Sequence, residues 1–342
     1  MSTDLASSAL DLARVFADGG RLVVSAPGRF DHAQHVAVEF IHPAITGARS
    51  LPAIAVPFSE IEDTVRDGDA LLILDGPDQT VHPNVPGAAQ VLIAEQTLSG
   101  PELVRWYHVL WELVQLGLEH PGLTGGAATT GGDSTSFLYP FLDASESSES
   151  SFLESSTTSW AAKEHESEQL CHQTATANHN ALDAVAAAID SCSERGGTTY
   201  SIGNGGSSCD AARLTRLLTN QDVAARSLAA DTAILTALAN DLGIDKIFAR
   251  QVEAMVRPGD VLIAFSTSGA SPNLLAAIDT AARRDATIVI SAGYDGGPMG
   301  SNPAVHHRLI VESTSVHRIQ EAQGVLIDQI CRRLHARSVA NA

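Results

Sequence analysis

Basic residues are scarce in this chain. Lys and Arg total 21 against 40 Asp and Glu, so its 342 residues carry a formal charge of −19 at pH 7. A field of that sign repels a phosphate backbone, which argues against nucleic acid as a direct partner. An anionic small molecule must then be held by local donors. Cysteine is sparse too: Cys171, Cys192, Cys209 and Cys331 stand apart, with no metal-ligand spacing. So few thiols exclude a disulfide scaffold and fit a reducing compartment. No apolar run approaches the roughly 18 residues that a membrane span needs. The opening MSTDLASSALDLARVF has no basic stretch ahead of an apolar one, so no signal peptide is read there. The expectation is a cytoplasmic protein with no membrane partner. A Ser-His-Asp triad and a dinucleotide fingerprint are also missing, and GNGGSS lacks the lysine of a Walker loop.

What is present suits a globular protein of two domains: 44% hydrophobic and 18% charged residues. Between them lies a biased stretch, 123–159, with five acids and no Lys or Arg. Ser fills eight of the fifteen positions from Ser145 to Ser159. Such a composition buries too little apolar surface to offset chain entropy, so 123–159 reads as a flexible acidic linker. Phe137, Leu138, Tyr139, Phe141 and Leu142 interrupt it, either as loose packing on a neighbour or as a docking segment. The expected layout is therefore a first domain at 1–122, the linker, and a second domain at 160–342.

In the second domain strands and helices alternate. Trp160–Ser193 reads as helix, Thr198–Ile202 as strand, and Cys209–Thr219, Asp231–Asn240 and Ile247–Val256 as helices. Val261–Ser266 is a strand, Pro272–Arg284 a helix, Ala286–Ala292 and His307–Val311 strands, and Val316–His335 a closing helix. Continuous apolar strands between helices predict an α/β fold, a parallel sheet covered on both faces. The first domain repeats this grammar in shorter form. Its run 66–74, RDGDALLIL, echoes 257–265, RPGDVLIAF. The chain thus reads as an internal duplication with a shortened first copy.

Two loops carry the binding chemistry. Tyr200-Ser201-Ile202 runs into Gly203-Asn204-Gly205-Gly206-Ser207 and then a helix. Glycines let backbone N–H groups turn toward an anion, and the helix N-terminus adds partial positive charge. The second loop places Ser266, Thr267, Ser268 and Ser271 between a strand and a helix. Four hydroxyls exceed what one helix cap uses, and open α/β sheets bind ligands at that edge.

GNGGSSCDA, ANDLGIDKIFARQVE (239–253), PGDVLIAFSTSGASPN and Arg318-Ile319-Gln320-Glu321 together resemble the sedoheptulose 7-phosphate isomerase (phosphoheptose isomerase) family, over roughly Trp160 to His335. The resemblance implies a flavodoxin-like αβα sandwich, the SIS (sugar isomerase) fold, here duplicated. It also implies a phosphorylated sugar as partner. Gly203, Asn204, Gly205, Gly206, Ser207, Ser266, Thr267, Ser268 and Ser271 would hold it, with Asn240, Asp241 and Gln320 nearby.

Aldose–ketose isomerisation needs a base at carbon and an acid or metal at the oxygens. In the family a His–Glu pair on the first loop's helix and a Gln and His on the last helix do this work. On the second domain these positions fall at Arg213, Leu217, Gln320 and Asp328, so that domain resembles a binder without a base. The first domain shows the reverse. His35 and Glu39, at i and i+4, share a helical face, while Ser25–Phe30 and Asp75–Asp78 replace the phosphate loops. On its closing helix the family Gln falls near Val104 and the His near Glu112. The expectation is a composite catalytic set of His35 and Glu39, assisted by Glu112 or Asp328. The rival is a non-catalytic phosphosugar sensor or scaffold. No motif demands a cofactor or fixes a metal site, and a divalent metal such as zinc stays open. His165, His172 and His179, at seven-residue spacing, read as a polar stripe. Since single SIS proteins of this type form tetramers, a tandem chain is expected to dimerise into a pseudo-tetramer.

Overall fold

Short, apolar, β-branched runs form the strands, and their burial on both faces decides the architecture. A computed structural model of the chain describes residues 2–43, 48–74, 83–85, 90–93, 98–125 and 148–341. The aromatic cluster Phe137–Leu142 and the segment Asp75–Asp78 lie outside the described residues. The chain divides into two units, Met1–Glu168 and Gln169–Ala342.

In the N-terminal unit the order is α1 (Ser2–Ala17), β1 (Leu22–Ser25), α2 (Phe30–Ile41), β2 (Ala53–Ala55), α3 (Ile61–Thr64), β3 (Ala70–Ile73), β4 (Gln90–Ile93), α4 (Gly100–Glu119) and α5 (Pro121–Thr124). The four strands are parallel in the order β2-β1-β3-β4. Every residue of β1 and β3 is buried. Successive side chains leave opposite faces. Leu22, Val24 and Leu72 join a core with Leu10 of α1, Phe40 of α2 and Trp111 of α4. Val23, Leu71 and Ile73 meet Val56, Ile61 and Val65 on the other face. A Glu102 carboxylate that accepts the Ser99 N–H at 2.7 Å fixes the start of α4.

α6 (Glu149–Ala177) begins inside the stretch expected to be linker. The correction has a physical cause. The Ser151 N–H donates to Ser148 Oγ at 3.3 Å, which starts the helix. Phe152 is buried in the unit's core, and Leu153 and Trp160 pack against it. A serine-rich composition therefore became helix because its few apolar residues share one face.

The C-terminal unit continues with α7 (His179–Glu194), β5 (Thr199–Ile202), α8 (Gly206–Thr219), β6 (Ala225–Ser227), α9 (Thr232–Leu242), α10 (Ile247–Met255), β7 (Val261–Ser266), α11 (Pro272–Arg283), β8 (Thr287–Gly293), α12 (Gly297–Ser301), β9 (His307–Val311) and α13 (Val316–Asn341). Its five strands are all parallel, in the order β6-β5-β7-β8-β9. One face packs on α7, α8 and α13 through Val261, Ile263 and Phe265. The other packs on α10 and α11 through Leu262, Ala264 and Ile290. Each face thus takes alternate residues of the strands, and an αβα sandwich results. The long helix expected over Trp160–Ser193 breaks at Asn178. There the side-chain amide pairs with the backbone of Ile310 in β9, accepting its N–H at 3.0 Å and donating to its carbonyl at 2.9 Å.

The two echoing sequence runs do the same structural work. Asp69 accepts the N–H groups of Arg66 and Arg21, each at 3.0 Å. Asp260 accepts those of Arg257 and Thr198, each at 2.8 Å. In both units an acid just ahead of the third strand ties its own turn to the start of the first strand. Among the described helices, none is long and apolar enough to cross a membrane.

Candidate functional site

The C-terminal unit presents both expected loops at the carboxyl ends of adjacent strands, β5 and β7. α8 opens at Gly206 and α11 at Pro272, directly after each loop. Two helix N-termini, with their positive dipole ends, therefore meet one sheet edge. The first turn is tight: a Cβ on Gly203 would lie 2.3 Å from the Ser207 carbonyl oxygen, so only glycine fits. Ser207 is buried, while Asn204 is exposed. In the second loop Ser266 Oγ accepts the Gly269 N–H at 3.0 Å, which curls the turn. Gly269 has φ +64, and a Cβ there would lie 2.0 Å from Gly296 O. Ser271 stands at the α11 N-cap, yet its hydroxyl makes no capping bond. Thr267 is half-buried and Ser268 exposed.

A residue that sequence reasoning missed ties the loops together. Asn273, in the first turn of α11, exchanges two hydrogen bonds with Asn204: Asn204 Nδ2 donates to Asn273 Oδ1 at 3.0 Å, and Asn273 Nδ2 donates to Asn204 Oδ1 at 2.8 Å. Gln323 was missed too. From α13 its amide donates to the carbonyls of Ser266 at 3.3 Å and Ser291 at 3.0 Å. It anchors α13 to the strand end that carries the second loop. Gln320, one turn earlier on α13, is buried. Asn240 and Asp241 are solvent-exposed at the end of α9, where the Asn240 amide donates to the Asp241 carboxylate at 2.7 Å.

The positions where the family pattern sets proton-transfer groups are otherwise engaged. The Arg213 guanidinium, almost wholly buried, pairs with the Asp328 carboxylate and donates to the Gly324 carbonyl at 3.0 Å. Leu217 offers no titratable atom.

The N-terminal unit brings a different group together. His35 and Glu39 on α2 face His108 on α4, at 2%, 5% and 1% exposure, with one ligand-capable atom of each within 4.8 Å of the others. His35 Nε2 lies 3.5 Å from the Glu39 carboxylate. On the far side of the ring the Tyr107 hydroxyl bonds His35 Nδ1 at 2.8 Å, leaving Nε2 to face the acid. Two imidazoles and a carboxylate suit an ion of the zinc class, and an outer hydroxyl that orients one imidazole suits it further. His108 was not foreseen. It stands one helical turn before Glu112, so the two share a face of α4. Glu112 itself is 2.5 Å from Lys163 Nζ. His165, His172 and His179 are exposed, and His179 begins α7 rather than continuing α6.

Parallel αβα layers thus carry paired hydroxyl-rich and glycine-rich turns at adjoining strand ends. Residues 164–291 match the SIS domain family model. The phosphoheptose isomerase of Alteromonas mediterranea is 41% identical over 144 residues, which cover 40% of this chain and 73% of that protein. The solved phosphoheptose isomerase of Neisseria gonorrhoeae aligns with a TM-score of 0.50 at 33% identity, over 52% of this chain and 96% of that one. The C-terminal domain of glucosamine-fructose-6-phosphate aminotransferase from Francisella tularensis shares the fold alone, with a TM-score of 0.59 at 8% identity, over 98% of this chain and 93% of that one. The chain belongs to the SIS-domain family, on its phosphoheptose isomerase branch.

Proposed function

We propose that this protein binds a phosphorylated sugar through its C-terminal unit and that the whole chain is an aldose–ketose isomerase of the phosphoheptose type. The cross-tied pair of loops carries the reading. Asn204 and Asn273 hold two helix N-termini and the hydroxyls of Ser207, Ser266, Thr267, Ser268 and Ser271 at one sheet edge. Amides and hydroxyls of that kind solvate a phosphoryl group without a cation. Matching strand orders and the matched Asp69 and Asp260 turns support an origin by duplication. The tandem chain assembles as a homodimer in this reading, which light scattering would show as twice the chain mass.

Isomerase activity then depends on the N-terminal His35 and Glu39, because Arg213, Leu217 and Asp328 supply no free base. Glu39 accepts the proton from carbon, and the Tyr107 hydroxyl holds His35 in one orientation. An ion of the zinc class would be held by His35, Glu39 and His108, and would polarise the sugar oxygens when bound.

The test is turnover of sedoheptulose 7-phosphate followed by NMR. Turnover by the wild type that is abolished in Glu39→Gln supports the isomerase. The engaged Arg213–Asp328 pair favours a second reading, a non-catalytic phosphosugar sensor, for which saturable binding without turnover is the expected result. Turnover that survives Glu39→Gln would place the base elsewhere. Absence of sugar-phosphate binding would remove both readings.

A further inference from the structure

In a chain with nearly twice as many acids as bases, one cavity is cationic. A hollow of about 680 Å³ lies where the α10 and α11 surfaces meet, lined by Lys246, Arg250, Arg283 and Arg284. The one acid on its wall is Glu253, and its carboxylate pairs with Arg250 at 2.7 Å. Two of the cations are held in place by hydrogen bonds to the protein. The Arg284 Nε donates to the Val256 carbonyl at 3.0 Å, and Arg283 donates to Thr280 Oγ1 at 2.9 Å. A basic residue in the last turn of α11 answers that helix's negative end. That accounts for Arg283 and Arg284 but not for Lys246 and Arg250, which come from other elements. Like charges gathered around one hollow repel unless an anion joins them.

We propose that this cavity is a second anion site, distinct from the phosphosugar loops, and that it takes a ligand with a chain of two or more phosphoryl groups. Guanidinium forks match phosphate oxygens in pairs, and the volume falls in the range of small-ligand pockets. Leu242 on the same wall offers an apolar contact for a nucleoside, should the phosphate chain carry one. α11 links the two sites: it starts at the hydroxyl loop and runs for 12 residues to Arg283, a length of about 18 Å. A ligand drawing on the last turn of that helix has a rigid connection to Asn273 in its first turn.

The experiment is calorimetric titration of the full-length protein with inorganic tripolyphosphate and, in parallel, with ATP. The wild type is compared with a Lys246→Gln/Arg283→Gln double variant. Both side chains are solvent-exposed, so the fold should persist, and an unchanged melting temperature checks this. The site predicts saturable tripolyphosphate binding that weakens at least about tenfold in the variant and falls steeply with added salt. Equal affinity for the two probes would mean recognition of the phosphate chain alone, and tighter ATP binding would mean a nucleotide. Sugar-phosphate binding should be the same in both proteins, which separates this inference from the proposed function. No tripolyphosphate binding by the wild type, or undiminished binding by the variant, would overturn it.

Discussion

Asp328→Ala isolates the consequence of the ion pair that stands where the family pattern calls for a proton carrier. The substitution strands the Arg213 guanidinium, whose side chain is 4% exposed against 20% for Asp328. Removing one member of a buried pair costs about 3–5 kcal/mol, because the remaining charge keeps its desolvation penalty. Asp328 has some solvent contact, and Arg213 retains its bond to the Gly324 carbonyl. Those two facts put the loss at the low end, about 3 kcal/mol. For a unit of this size each kcal/mol moves the midpoint by about 2–4 °C, so the C-terminal transition should fall by about 6–12 °C in scanning calorimetry. Arg213→Met alone leaves a carboxylate that can turn to water, and it should cost less. Replacing both partners, Arg213→Met with Asp328→Leu, should recover most of the loss, since a well-packed apolar pair needs no charge compensation. A double variant as unstable as Asp328→Ala, or an Asp328→Ala that melts with the wild type, would refute the reasoning.

Three further outcomes follow from the geometry. Gly269→Ala must place a methyl 2.0 Å from the Gly296 carbonyl at φ +64, so the hydroxyl loop has to shift and sugar-phosphate affinity should drop at least about tenfold in a titration. Burial alone would raise the Asp69 pKa, but the Arg21 guanidinium and the Arg66 and Arg21 amides outweigh it and hold the carboxyl below its ordinary range. That stabilisation is present above the unfolded carboxylate pKa of about 4 and is lost as pH falls through the lower folded value. The urea midpoint of the N-terminal unit should therefore drop on acidification, and Asp69→Asn should be weaker at neutral pH and flatter in acid. Burial pushes the Cys331 thiol up to about 12; it should resist a disulfide reagent at pH 8 until denaturant is added, as a thiolate count over time would show.

Sequence alone made the C-terminal unit readable because its strands are long and apolar. Val261–Ser266 and His307–Val311 have the bounds expected of them. The three-residue strands Ala53–Ala55 and Ala225–Ser227 were not foreseen, since a run such as Ala-Arg-Ser has neither length nor alternation to mark it. Serine content hid the start of α6, whose single buried aromatic, Phe152, supplies the packing that composition discounts. In the candidate site, backbone motifs were visible and side-chain partners were not. Asn273 looked like an ordinary residue after proline, and only the adjacency of β5 and β7 brings it to Asn204. Spacing along α4 pointed to Glu112, whereas the structure sets His108, one turn earlier on the same face, beside His35 and Glu39.

The reciprocal amide pair between the loops also constrains how this site can change. Each asparagine satisfies the other with one donor and one acceptor, so neither turn can be reshaped for a new sugar without leaving its neighbour's amide in want of a match. A lone exchange at either position loosens two turns at once, while a compensating exchange at both can keep them joined. Redesign of sugar preference should therefore start from paired changes at 204 and 273, with coupling between them read from a double-mutant cycle.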